Sequence, residues 1–379
     1  MNILAVNLPY AGHTNPTLPL TAELVKRGHR VTYINAEVFR QPIEATGARF
    51  VPYPDFPVTI GEEQKKRTSF RKAYDTVLSV GQSESFDLLL YEMFFHPGAQ
   101  AARTLGLPCV RQFSQPAWSD ATWQAAPAMF RLSARLIDAQ VLSKRDAVHM
   151  GLTYTSLHDG VINEHPDLNI VYLPEAFQPQ RESFDDSYLF IVPKQNVVSG
   201  NVPIPYDAMK RPIVYISLGS LISNKGFCKE CIRAFGNKDC FVILSTGKVA
   251  PESLGKIPSN LYVYSFVPQV EVLQHADVFL THCGMNSVNE ALCAGVPMVA
   301  MPFINDQMTN ARQLVRLGLA RQVRSFPSSG RELYRAVCQV SRDEGMKQRA
   351  KAFREEIKRQ KDWDSVIARM EETVESKHN

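Results

Sequence analysis

Asp277-Val278-Phe279-Leu280-Thr281-His282-Cys283-Gly284-Met285-Asn286-Ser287-Val288-Asn289-Glu290 places an apolar run, a glycine turn and a helix-forming run in direct succession. Asp277 to Thr281 suits a buried parallel strand, Gly284 permits a tight turn, and Met285 to Ala294 begins a helix. Phe266-Val267-Pro268-Gln269 comes before it; Gly295-Val296-Pro297 and a second apolar strand, Val296 to Phe303, lead on to Asp306-Gln307. Strand, helix and strand in this order belong to a parallel α/β sheet. The first turn of such a helix has unpaired N–H groups and about half a positive charge, so Gly284 to Ser287 suits an anion such as a diphosphate. The Asn286 amide, Ser287 hydroxyl and His282 imidazole add donors, and Glu290, on the same helix face as Ser287, is an acceptor suited to sugar hydroxyls. In isolation the fragment is equally an ordinary strand-turn-helix with His282 satisfied internally and Asn286 or Ser287 capping. The second strand, ending at a carboxylate and an amide where it opens into a crevice, favours a ligand.

Outward from this stretch the same alternation recurs. On its N-terminal side lie strands at Ile213 to Leu218, Phe241 to Ser245 and Leu261 to Phe266, with a helix near Cys228 to Phe235. The N-terminal half repeats the pattern: Ile3 to Leu8, a helix through Leu20 to Lys26 closed by Gly28, Val31 to Asn35, Phe86 to Tyr91, a helix through Ala99 to Leu105 closed by Gly106, and Cys109 to Phe113. Two parallel doubly wound sheets are therefore expected. Pro52 to Phe70 and Ser114 to Met150, rich in aromatics, Met and Pro, are expected to be irregular loops of the kind that line clefts. The Pro, Asn, Gly and Ser text before Pro212 is a linker. The charged last 40 or so residues, from Asp343, with spaced apolar positions, are amphipathic helices.

A chain of 379 residues with 45% hydrophobic content can bury two ordinary cores. Its 42 Lys and Arg against 38 Asp and Glu, without aromatics interleaved in a basic cluster, do not indicate nucleic acid. No run approaches the roughly 18 apolar residues of a membrane span, and Met1 leads directly into a core strand, so a cytoplasmic protein without a signal peptide is expected. Seven scattered cysteines suggest reduced buried thiols. Cys228-Lys229-Glu230-Cys231 has C-x-x-C spacing but lacks the second pair that a zinc site needs.

The run from Phe266 to Gln313 resembles the nucleotide-sugar-dependent glycosyltransferases of family 1, which include plant secondary-product, animal glucuronosyl and bacterial macrolide glycosyltransferases. The resemblance implies a GT-B architecture, in which two doubly wound Rossmann-like domains face a cleft: an acceptor-binding domain at 1–193, a linker at 194–212, a nucleotide-sugar domain at 213–362, and a terminal helix at 363–379 crossing back to the first domain. It further implies that Phe266 stacks on the base where plant members carry Trp, that Val267 reads the base through its backbone, and that Gln269 and Glu290 reach the ribose. His282, Gly284, Asn286, Ser287 and Ser220 would meet the diphosphate, with Gly12 on the donor side, and Asp306 with Gln307 the sugar hydroxyls. UDP against TDP stays open, as does the sugar, because Met285 replaces a plant Trp.

Pro9-Tyr10-Ala11-Gly12-His13-Thr14-Asn15-Pro16 follows the first strand, placing His13 at the carboxyl end of the sheet, where α/β crevices hold ligands. Such a His is often only a turn residue; the resemblance makes it the general base. An imidazole with a pKa near 6.5 can take the proton of an attacking hydroxyl. Attack opposite the leaving diphosphate inverts C1. Leaving-group charge met by the helix start and His282 removes the requirement for a metal, so no cofactor is expected beyond the nucleotide sugar as co-substrate. The family places an orienting Asp just after the strand Phe86 to Tyr91; this chain has Glu92, one methylene longer, and the alternatives are Asp87, Asp120 or a His13 that works without a tight partner. The aromatic segments (Phe56, Phe70, Phe94, Phe95, Phe113, Trp118, Trp123, Phe130), with Phe56, Phe94, Phe113 and Trp118 as the nominated contacts, suggest an apolar acceptor such as a macrolide, polyketide or phenolic, although most could be core. A nucleotide-sugar 2-epimerase, a silent nucleotide-sugar-binding subunit and a lipid acceptor at a membrane surface are the rival readings.

Overall fold

The computed structural model describes all residues except 55–61, 127, 129–130, 133, 136–141, 194–201, 220–223, 304–305, 325–328, 361 and 379, without the side chains of 62–69 and 378. The chain forms two compact units, Met1–Pro193 with Lys361–Asn379, and Lys194–Gln360.

The first unit is built on seven parallel strands: β1 Asn2–Val6, β2 Arg30–Asn35, β3 Arg49–Pro52, β4 Leu88–Glu92, β5 Cys109–Phe113, β6 Leu168–Val171 and β7 Tyr188–Phe190. Their spatial order is 3-2-1-4-5-6-7. Ile3 pairs with Val31 on one side and Leu88 on the other, so β1 and β4 are neighbours and the winding reverses between them. The crevice beyond the carboxyl ends of β1 and β4 is thus the topological switch point. Leu4, Val6, Leu89 and Tyr91 point into one core layer, Ile3, Ala5, Leu88 and Leu90 into the other, as period-two strands covered on both faces require. The helix Trp363–His378 belongs to the second layer, burying Trp363, Val366, Ile367, Met370 and Val374 at helical spacing beside β6 residues Leu168 and Ile170.

The second unit repeats the plan with β8 Ile213–Ser217, β9 Phe241–Ser245, β10 Leu261–Tyr264, β11 Val278–Thr281, β12 Met298–Ala300 and β13 Ala320–Gln322, in the order 10-9-8-11-12-13. Here the reversal falls between β8 and β11, where Leu280 pairs with Ile216.

Two sequence expectations need correction. Pro52 to Phe70 is not irregular throughout: a helix runs Glu62–Ser83, and its Phe70, Ala73, Tyr74 and Val77 are buried at i, i+3, i+4 and i+7. The charges between these positions mask the stripe. Ser114 to Met150 likewise contains the helices Asp120–Ala125 and Lys144–His149, each opened by a serine whose hydroxyl accepts a first-turn N–H. The strands β3, β6, β7 and β13, three or four residues each, are too short to show a period.

Candidate active site

His13 lies in a helical turn, Ala11–Thr14, that begins five residues after β1 ends, and Glu92 is the last residue of β4. The switch point brings them together although 79 positions separate them: His13 Nδ1 is 2.8 Å from Glu92 Oε1. Glu92 is fully buried while His13 retains 18% of its side-chain surface. A carboxylate only accepts, so Nδ1 carries the proton and Nε2 is the basic nitrogen. Glu92 is matched by donors throughout: Oε2 accepts the Phe94 N–H at 2.9 Å, and Oε1 also accepts the Ser114 hydroxyl at 2.8 Å. Ser114 Oγ stands 2.7 Å from His13 Nδ1 as well, closing a three-membered arrangement. The extra methylene of Glu92 therefore reaches His13 without loss of contact. Asp87 instead accepts the Asn2 N–H at 2.6 Å, at the opposite end of the sheet, and Asp120 is the exposed first residue of the helix Asp120–Ala125. Ser114 carried no signal in the sequence; only its place one residue beyond β5, next to β4, reveals it.

Aromatic rings stand around this pair. The half-buried Phe94 ring is 4.1 Å from the His13 ring, and Tyr10 is 6.2 Å from His13 and 6.1 Å from Phe94. Trp118 is half-buried, 5.5 Å from Trp123. Phe113 is wholly buried with the Arg111 guanidinium over its ring and Tyr188 at 6.2 Å, an interior packing position. Phe95, Phe70 and Trp123 are buried. Phe56 and Phe130 lie outside the described residues. Gly12 sits in the same turn as His13, with open space where a Cβ would stand.

In the second unit His282 follows β11 and Gly219 follows β8, again at the switch point. The His282 ring lies across both glycines: a Cβ on Gly219 would come within 2.6 Å of it and one on Gly284 within 2.5 Å. The left-handed residue of the turn is Cys283, at φ +67°, whereas Gly284 has an ordinary φ of −62°. Gly284 is thus needed for the room it leaves His282 rather than for the bend. Burial lowers the His282 pKa to about 4, so the imidazole is neutral at physiological pH, and its Nδ1 has no hydrogen-bond partner among the described residues. Such an orphaned buried polar atom calls for a ligand or water.

The helix Met285–Ala294 has no side-chain cap, and Asn286 is exposed at its first turn. Ser287 and Glu290 are joined through Gln269, whose Nε2 donates to Ser287 Oγ at 3.0 Å and Glu290 Oε2 at 2.6 Å while its Oε1 accepts from Tyr215. Burial raises the Glu290 pKa and the Gln269 bond offsets it in part. Phe266 is 73% exposed, whereas the next residue, Val267, is buried. Asp306 and Gln307 open the helix Asp306–Arg316, where Gln307 Oε1 accepts the Phe303 N–H at 3.0 Å. Ser220 lies outside the described residues, as do 194–201 of the expected linker. Cys228 and Cys231 are buried one turn apart on the helix Lys225–Phe235, and no group of three or more His, Cys, Asp or Glu among the described residues is placed to hold a metal.

Residues 207–357 match the family described as UDP-glucoronosyl and UDP-glucosyl transferase. The chain is 33% identical to the NDP-glycosyltransferase YjiC of Bacillus licheniformis over 94% of its own length and 93% of that protein's. It is also 33% identical to the oleandomycin glycosyltransferase of Streptomyces antibioticus, over 82% of this chain and 76% of that one. Among solved structures, the kitacinnamycin glycosyltransferase superposes with a TM-score of 0.81 at 28% identity, covering 98% of both chains. The calicheamicin glycosyltransferase CalG4 does so at 0.80 and 25%, with the same coverage.

Proposed function

This chain belongs to the nucleotide-sugar-dependent glycosyltransferases of family 1 and has their GT-B fold; from that premise we propose that it moves a sugar from a UDP- or TDP-sugar to a hydroxyl of an apolar small molecule, inverting C1, with His13 as the general base. The observation that carries this reading is the His13–Glu92 contact of 2.8 Å, with Nδ1 held by a buried carboxylate. Nε2 takes the acceptor proton as the C1–O bond forms, and Glu92 stabilises the imidazolium that results. The nucleoside diphosphate leaves from the opposite face of C1, so an α-linked donor gives a β-glycoside.

Donor recognition falls to the second unit. The uncapped helix start at Met285 and the neutral His282 meet the diphosphate, Phe266 stacks on the base, the Gln269–Glu290 pair takes the ribose, and Asp306 with Gln307 takes the sugar. Because these groups meet the leaving-group charge, no metal is required. The aromatic surroundings of His13 and the relative named for oleandomycin favour an apolar acceptor of macrolide or related type.

The test is incubation with UDP- and TDP-sugars and a mixed library of macrolides, polyketides and phenolics, followed by mass analysis and assignment of the anomeric configuration. Inverted glycosides are expected. Donor turnover without acceptor would favour a 2-epimerase, nucleotide binding without turnover a silent subunit, and retained configuration would remove the single-displacement role of His13.

A further inference from the structure

We propose that Asn310 is a positioning residue that holds the diphosphate turn and the sugar-facing carboxylate of Asp306 in one fixed relation, an inference that rests on the donor-site reading given above. Asn310 lies one turn into the helix Asp306–Arg316 and is fully buried. Its Nδ2 donates to the Cys283 carbonyl at 3.0 Å and to Asp306 Oδ2 at 3.2 Å, so one NH₂ group serves both.

The first acceptor belongs to the left-handed residue of the turn. That conformation is unfavourable for a residue bearing a Cβ and persists only where the surroundings impose it. Thr281 Oγ1 accepts the Cys283 N–H at 3.1 Å from the β11 side, and Asn310 grips the carbonyl of the same residue from the neighbouring helix. The second acceptor sits four residues earlier on its own helix, so the bond fixes the carboxylate against the helix face. A displacement of the turn is therefore transmitted to Asp306 through a single rigid amide.

A packing role alone would not favour asparagine here. Its Oδ1 is buried with no partner among the described residues, a desolvation cost that a leucine of similar size would avoid. The two donated bonds are what the amide adds.

Calorimetry of UDP, dTDP and their glucose conjugates on the whole protein tests this. Thr281→Val loosens the turn while Asn310 still ties it to Asp306, so nucleotide and nucleotide sugar are expected to weaken by the same factor. Asn310→Ala and the near-isosteric Asn310→Asp are expected to weaken the nucleotide sugar by a further ~3- to 10-fold relative to the nucleotide, in the range of coupled neighbours. In an Asp306→Ala background, adding Asn310→Ala should leave that ratio unchanged. An unchanged ratio in both Asn310 variants, or failure of both to fold, overturns the proposal. Absence of any nucleotide binding by the wild-type chain would instead sink the donor-site reading itself.

Discussion

At the scale of single residues, His13 is paired with a glutamate, Glu92, and Ser114 stands within hydrogen-bond reach of both. Glu92 receives three hydrogen bonds, from His13, Ser114 and the Phe94 backbone, so its position is over-determined. Glu92→Gln keeps the size and removes the charge proposed to stabilise the imidazolium; single-turnover transfer at saturating substrates should fall by about 100-fold or more, with donor affinity unchanged. Glu92→Asp keeps the charge but retracts it by about 1.5 Å, roughly one C–C bond, and should give an intermediate rate. Three equal rates would remove Glu92 from the mechanism.

At the scale of the element, the strand-turn-helix around His282 derives its properties from how tightly it closes. Gly284→Ala would push a methyl to within 2.5 Å of His282 Nε2, so the ring or the turn must shift. Overpacking of this kind costs about 1–3 kcal/mol, so the melting temperature should fall by about 2–10 °C, and nucleotide affinity measured by calorimetry well below that temperature should drop about 10-fold or more. Full affinity would show that His282 does not meet the diphosphate. The same element bears on metals: under the proposed role of the helix start and His282 at the leaving group, transfer should persist in EDTA. Loss of activity restored by a divalent ion would refute this.

At the scale of the whole molecule, each unit buries a histidine whose charging would oppose folding. Burial holds His282 at about 4 in the second unit and His96 at about 3 in the first. Both folded values lie below the unfolded value near 6.5, so the unfolded chain binds more protons in between. Their contribution is fully present above about pH 6.5 and is lost as pH falls toward 4 and then 3. Urea midpoints should therefore decline over that window, and His96→Phe, which removes one proton site from among the Phe70 and Tyr154 rings, should flatten the decline. An identical pH slope in wild type and variant would rule out His96 as a contributor.

The sequence by itself determined the alternation of strand and helix, and with it the two doubly wound sheets, because apolar runs of four to six residues bounded by glycines leave few other solutions. It also determined that Ser287 and Glu290 share a helix face, where Gln269 joins them, since residues one helical turn apart do so wherever the helix lies. Tertiary structure alone decided the remainder. The Glu62–Ser83 helix became legible only when the face carrying Phe70, Tyr74 and Val77 found a core, and the short strands β3, β6, β7 and β13 needed neighbours to pair with. Glu92 over Asp87, and Ser114 beside both partners, follow from strand order: β4 lies between β1 and β5, so residues 13, 92 and 114 converge at one end of the sheet. Asn310 is hidden for the same reason, its two acceptors being 27 and 4 positions away. Hydrogen bonds act over about 3 Å regardless of sequence separation, and a pattern read along the chain registers only the partners that a helix or a strand repeat already brings close.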